Sequence, residues 1–260
     1  MKKQWFLPLF TVIGSIIAFV LRMIQNHTGF EAATGLPVSG HPTGLILIAF
    51  FVLFFATIFL LTRKLPTEIA PAFPKTFSTT EPKDLTLPIM GVLLLAVSGA
   101  LDLLPIVAPD AIPSSSVDVP QLQILTALTA LLSAVGLFPM VTACRQKGKH
   151  LAVNGSFLLI PPVCLVIRLV LTYRIESVNP VLMQYYIQLL ALVFFILAFF
   201  RLSSFAFQAG QTRPFALYTM LAVVCSITAL ADFMPLSSTL FYAGCALTTL
   251  GFLLLHLKHI

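Results

Sequence analysis

The stretch "VSGALDLLP", Val97 to Pro105, returns in outline as "ITALADFMP", Ile227 to Pro235. Each phrase closes an apolar run and carries an aspartate, Asp102 or Asp232, three residues before a proline. The chain has nine acidic residues among 260, so two placed alike inside greasy sequence call for a physical reason. The shared pattern is [Ser/Thr]-x-x-x-Asp-[Leu/Phe]-[Leu/Met]-Pro, with Ser98 answering Thr228 and Pro105 answering Pro235.

The surroundings of both phrases set the fold class. Hydrophobic residues make up 58% of the chain and charged ones 9%, and the mean hydropathy is +1.01. Soluble domains carry roughly 25% charge, so this chain has too little to cover a water-facing surface. Its apolar runs have the length that crosses a hydrocarbon core about 30 Å thick. Inside lipid the backbone must satisfy itself within each segment, which makes the runs helices. The expected fold is therefore all-α and polytopic. Eight helices are predicted at Trp5–Gln25, Thr43–Thr62, Leu87–Val107, Gln121–Ala143, Ser156–Tyr173, Val181–Ser203, Phe215–Met234 and Ser237–Leu257. Breaker-rich connections such as "TGLPVSGHPTG", "APDAIPSSS" and "MPLSS" separate them.

Charge orients the bundle. With a cytoplasmic N-terminus, twelve of the fifteen Lys and Arg residues fall on the cytoplasmic side, all but Arg22, Arg168 and Arg174. This is the positive-inside bias, and it places both termini in the cytoplasm. The first run extends to Met23 with no small-x-small site after it, so it reads as a retained helix rather than a cleaved signal. The long connection from Arg63 to Thr86 is then cytoplasmic, and its four prolines argue against a folded domain there.

The phrases also suggest a duplication. "FVLRM" around Arg22 matches "LVIRL" around Arg168, and paired phenylalanines recur in the second and sixth runs. The expectation is two parallel four-helix repeats, residues 1–150 and 151–260, related by an axis along the membrane normal. Each half then supplies an arginine from its first helix and an aspartate from its third.

Depth brings the four charges together. At 1.5 Å per residue, Asp102 lies roughly 22 Å along its helix from Leu87, in the outer half, and Arg22, Arg168 and Asp232 fall in a similar layer. A lone charge at mid-bilayer costs about 2.5–3.5 kcal/mol, so such groups turn inward and pair. Pro105 and Pro235 lack the N–H that would bond the carbonyls of Leu101 and Ala231, leaving two acceptors beside the aspartates. Gln184 and Gln188, with Tyr185 beside them, enter the same layer, as do Gln123, Thr126, Ser237, Ser238 and Tyr242. Glu31, in the first outer loop, is placed to fold back over the arginines. Ala96/Ala100 and Ala130/Ala134 are small-xxx-small packing pairs.

Other chemistries lack their signatures. The four cysteines show no CxxC spacing, the five histidines do not cluster, and no metal site or cofactor is expected. P-loop, dinucleotide and nucleophile-elbow motifs are missing. The +6 formal charge is explained by orientation, so nucleic acid is not a partner. "NHT" at Asn26 has the form of a glycosylation sequon.

The loop "LRMIQNHTGFEAATGLPVSGHPTG", with Arg22, Phe30-Glu31 and Thr34-Gly35-Leu36-Pro37, resembles the first outer loop of uncharacterised polytopic membrane proteins of anaerobic Gram-positive bacteria. That resemblance covers about a tenth of the chain and implies a bacterial plasma membrane, without an activity. A second, fainter likeness is to the lysoplasmalogenase-like family, eight-helix proteins with two membrane aspartates. The Gly-Asp phrase of that family is replaced here by Leu101-Asp102 and Ala231-Asp232.

Three functional classes follow. The first is a non-enzymatic membrane protein whose outer polar pocket binds or transports a small amphiphile or lipid headgroup. The second is an accessory subunit whose charges serve packing alone. The third is a membrane-embedded hydrolase in which Asp102 and Asp232 share a proton, which requires the carboxylates within about 3–4 Å of each other. An arginine beside each would keep both ionised. No catalytic residue is assigned, and the binding candidates are Arg22, Asp102, Arg168, Asp232, Gln184, Gln188, Tyr185 and Glu31.

Overall fold

The computed structural model describes residues 6–31, 36–38, 40–66, 73–107, 120–145, 155–177, 181 and 185–258. Eight long helices account for most of them: α1 (Phe6–Thr28), α2 (Thr43–Thr62), α3 (Thr86–Val107), α4 (Pro120–Ala143), α5 (Ile160–Glu176), α6 (Tyr186–Ala206), α7 (Thr212–Ala229) and α8 (Leu236–Lys258). All eight are long and apolar enough to span a membrane, and no named strand occurs among the described residues.

Helices α3 to α8 close a ring in chain order, because α8 packs along α3 as well as on α7. The α1–α2 hairpin lies outside that ring against α7. Helix α7 therefore touches four long neighbours and is buried all round, as is much of α8, which explains why neither shows a one-sided apolar stripe. The first and second sets of four helices interleave: α1 and α2 pack on α7, and α3 packs on α8. Outward faces carry large apolar side chains such as Ile13, Ile16, Val20, Leu45, Val52, Leu53, Val163 and Val170, the surface that acyl chains cover.

Close approach of α3 and α8 is a glycine effect. A Cβ on Gly91 would run into Thr248 and the Gly244 carbonyl, one on Gly244 into the Gly91 carbonyl at 2.9 Å, and one on Gly251 into Pro88. Small residues allow such backbone contact where no hydrophobic drive separates helix from lipid. Of the predicted alanine pairs, Ala130 and Ala134 are buried, but Ala100 is exposed. The tight seam is Gly91–Gly244–Gly251 instead.

Several ends differ from expectation. Helix α7 stops at Ala229, five residues short of Met234: the Ala231 and Asp232 N–H groups donate three residues back, to the Thr228 and Ala229 carbonyls, tightening the last turn, and Pro235 leads into α8, where its carbonyl accepts the Thr239 N–H at 3.0 Å. Asp232 thus sits in a turn while Asp102 sits inside a helix. Helix α6 starts at Tyr186 rather than Val181, and α1 and α5 run on to Thr28 and Glu176.

The connection after α2 is also more than a proline-rich linker. Its second part holds a one-turn helix, Phe73–Thr76, and a 3-10 turn, Pro82–Leu85. Phe77, fully buried, enters the bundle among Phe73, Phe205, Phe215, Phe252 and His256. The Thr79 N–H donates to the Cys144 carbonyl at 2.8 Å, and Lys258 reaches Asp84 at 2.8 Å and Glu81 at 3.6 Å. His256 is buried in the same cluster: it is 1% exposed, and its Nε2 meets Thr212 Oγ1 at 2.9 Å.

Candidate functional site

Arg22, Asp102, Arg168 and Asp232 all lie at the end of the bundle opposite Phe77, and they form two ion pairs that cross between the halves of the chain. Arg22 Nε donates to Asp232 Oδ1 at 2.7 Å. Arg168 Nη1 donates to Asp102 Oδ2 at 3.3 Å. In each case an arginine from one half of the chain holds an aspartate from the other, Asp102 within α3 and Asp232 in the turn after α7.

The first pair is saturated. Arg22 is 1% exposed and its Nη1 donates to Gln25 Oε1 at 2.9 Å, with the guanidinium 5.7 Å from the Tyr186 ring centre. Asp232 also accepts from Asn26 Nδ2 at 3.3 Å and from Gln188 Nε2 at 3.5 Å. Asn26 Nδ2 donates as well to the Ala231 carbonyl at 2.9 Å, so one freed acceptor is filled by an amide rather than by an arginine. That nitrogen, the one a glycan would use, is committed to the fold. Burial pushes the Asp232 carboxyl above its ordinary range, while Arg22, Asn26 and Gln188 draw it back.

The second pair is looser. Besides Asp102, Arg168 Nη1 donates to the Thr126 carbonyl at 3.0 Å and Nη2 to Ser238 Oγ at 3.5 Å, and the guanidinium lies 4.4 Å from the Phe241 ring centre. Asp102 is 8% exposed, yet among the described residues its Oδ1 accepts no hydrogen bond. Ser98, four residues earlier, donates to the Ser237 carbonyl at 2.8 Å across the α3–α8 contact, whereas Thr228 bonds its own helix at Val224. The two phrases therefore serve different contacts.

Each pair borders a cavity. One of about 370 Å³ is lined by Arg22, Asn26, Phe30, Glu176, Gln188, Asp232 and Phe233. The other, about 600 Å³ at the mouth of the helix ring, is lined by Asp102, Gln123, Thr126, Arg168, Thr172, Ser237, Ser238 and Tyr242, with Leu101, Pro105, Ile175 and Leu236 as apolar wall. Glu176, Gln188 and Phe233 border both. The charged groups split into two pairs on adjoining cavities, each aspartate facing its own guanidinium.

Gln123, Thr126, Gln188, Ser237, Ser238 and Tyr242 thus come together as the sequence suggests, and the Tyr242 hydroxyl donates to the Gln188 carbonyl at 3.3 Å. Tyr185 is buried but borders neither cavity; its neighbour Tyr186 is the one near Arg22. Glu31 is exposed, lines neither cavity, and its N–H donates to the Leu36 carbonyl in a hairpin closed by Phe30 and Pro37. Gln184, Thr34 and Gly35 lie outside the described residues. Sequence reasoning missed Asn26 and Glu176. Both carry a readable signal, since Arg22–Asn26 and Arg168–Thr172–Glu176 recur at four-residue spacing and so share one face of their helices. The four cysteines are buried and free, and no cluster of metal-ligating side chains occurs among the described residues.

No family model, curated protein or solved structure matches this chain.

Proposed function

We propose that this is a multi-pass plasma-membrane protein with both termini cytoplasmic that binds a small amphiphile from the extracytoplasmic side. The cavity at the mouth of the helix ring is the binding site. One observation carries the reading: a buried ion pair with unspent hydrogen-bonding capacity, Arg168–Asp102, borders a space of about 600 Å³ that also has an apolar wall. Ligand sites combine such apolar lining with a few placed polar groups, in volumes of roughly 300–1,000 Å³. The positive-inside bias supports the orientation, since it sets Lys83 and Lys258 on the cytoplasmic side and the ion pairs at the far end.

The two pairs divide the labour. Arg22–Asp232, filled by Gln25, Asn26 and Gln188, fastens the α1–α2 hairpin to the ring. Arg168–Asp102 faces the ligand. The crossed pairing is the reciprocity a two-fold duplication produces, and it supports a duplicated origin for the charged layer. The opposite end is packed with Phe73, Phe77, Phe205, Phe215 and Phe252 and shows no comparable polar path among the described residues, which favours binding over passage.

Native mass spectrometry of the protein released from its own membrane tests the reading. A stoichiometric adduct of lipid-like or smaller mass is expected, lost in Ser238→Trp, which fills the cavity while leaving both ion pairs. No adduct, or an adduct unaffected by Ser238→Trp, overturns it.

A further inference from the structure

The ligand's charge follows from which groups at the cavity remain unspent; this rests on the binding reading above and goes beyond it. Arg22 is occupied by Asp232 and Gln25, and Arg168 spends three of its five N–H groups on Asp102, the Thr126 carbonyl and Ser238, with the Phe241 ring against it. Two of the three carboxylates at the cavities keep open acceptors. Asp102 keeps Oδ1 open although the residue is 8% exposed, and Glu176, half-buried between the two cavities, makes no ion pair or hydrogen bond among the described residues. Three carboxylates thus face two guanidiniums across the joined cavities. Arg174, the next cation on α5, is exposed and borders neither.

We infer that the cavity binds an organic ammonium, its cationic head between Asp102 Oδ1 and Glu176 and its apolar body against Leu101, Pro105, Ile175 and Leu236. An ammonium supplies N–H donors to acceptors that lack them, and its charge offsets the surplus carboxylate. Phe233, 91% exposed where the two cavities meet, offers a ring face to the same cation. An anionic ligand would meet an Arg168 charge already offset by Asp102 and would lie against the surplus carboxylate. Such an ammonium can come from a free amine or from an aminated lipid headgroup, since the head chemistry is common to both.

Phenethylammonium, with 3-phenylpropionate and phenethyl alcohol as anionic and neutral counterparts, tests this on the full chain in phosphatidylcholine nanodiscs by calorimetry. Saturable binding of the ammonium alone is expected, at least ten-fold weaker in Glu176→Gln. That variant removes a carboxylate holding no partner, so its thermal unfolding should match the parent. Preference for 3-phenylpropionate, or ammonium binding indifferent to Glu176→Gln, overturns the charge assignment while leaving the binding site standing. Failure of all three probes to bind sinks the site as well. Adding phosphatidylethanolamine to the discs identifies the source: competition assigns the ammonium to the lipid headgroup, and an unchanged affinity assigns it to a free amine, each supporting the cation site.

Discussion

Arg22 in the first helix holds Asp232, 210 residues further on, at 2.7 Å with the arginine 1% exposed. This contact joins a peripheral hairpin to the turn that closes the ring. Breaking a buried pair from one side leaves the other charge stranded, at a cost of about 3–5 kcal/mol. Arg22→Met should therefore lower thermal stability strongly, and Arg22→Met with Asp232→Leu should recover most of the loss. Asp102→Asn should cost less, about 1–3 kcal/mol, because Arg168 keeps the Thr126 carbonyl and the Phe241 face. Thermal unfolding in one detergent, followed by light scattering, orders the three. Equal losses for Arg22→Met and Asp102→Asn would refute the division of labour.

Asn26 gives a second prediction. Its amide fills the Ala231 carbonyl and supports Asp232, so Asn26→Ala should destabilise by about 1–3 kcal/mol, the cost of an unsatisfied buried acceptor. Asn26→Gln, too long for the same geometry, should not restore it. Expressed in a glycosylating host, the wild-type chain should carry no glycan at Asn26, as read by mass shift after glycosidase treatment.

The α3–α8 seam should be intolerant of bulk. Gly91→Ala places a methyl group against Thr248 and the Gly244 backbone, and backbone cannot give way as a flexible side chain can. Overpacking of this kind costs about 1–3 kcal/mol. Gly40, where an added Cβ meets nothing but the backbone has φ +77°, should respond through conformation alone and more weakly. Comparing the unfolding temperatures of the two alanine variants checks the order.

Much of this architecture was legible in composition and in scarce charge. Apolar run length gave eight helices, and the rarity of ionisable residues singled out Arg22, Asp102, Arg168 and Asp232 because buried charge needs a partner. What remained hidden was set by tertiary context. Nothing local tells that the seventh helix stops at Ala229 rather than at Met234, just before Pro235, so Asp232 read as helical. Phe77 looked like an ordinary residue of a proline-rich connection, since four of its five aromatic neighbours come from elements far apart in sequence. Asn26 was masked by its resemblance to a sequon. Glu176 lay just past the expected end of its helix, where a carboxylate reads as a solvated terminus.

The aromatic plug yields a fourth prediction. Phe77→Ala should cost about 3–5 kcal/mol and loosen the Thr79–Cys144 contact. Cys144, just beyond α4 and 1% exposed, has its thiol pushed up to about 12 by burial. Alkylation needs the thiolate. Raising the pH from 7 to 9 should therefore leave Cys144 unmodified by iodoacetamide in the folded wild type, while in Phe77→Ala its modification should appear and rise with pH. Tandem mass spectrometry of the alkylated chain reads the site.

The central claim, a wet cavity beside Arg168 and Asp102 that opens to the extracytoplasmic side, is tested most directly by the accessibility of Ser238→Cys. Native background is low because Cys144, Cys164, Cys225 and Cys245 are all buried. A membrane-impermeant thiol reagent added to intact cells should modify the introduced cysteine rapidly. Labelling only from inverted vesicles, or no labelling from either side, would contradict the account.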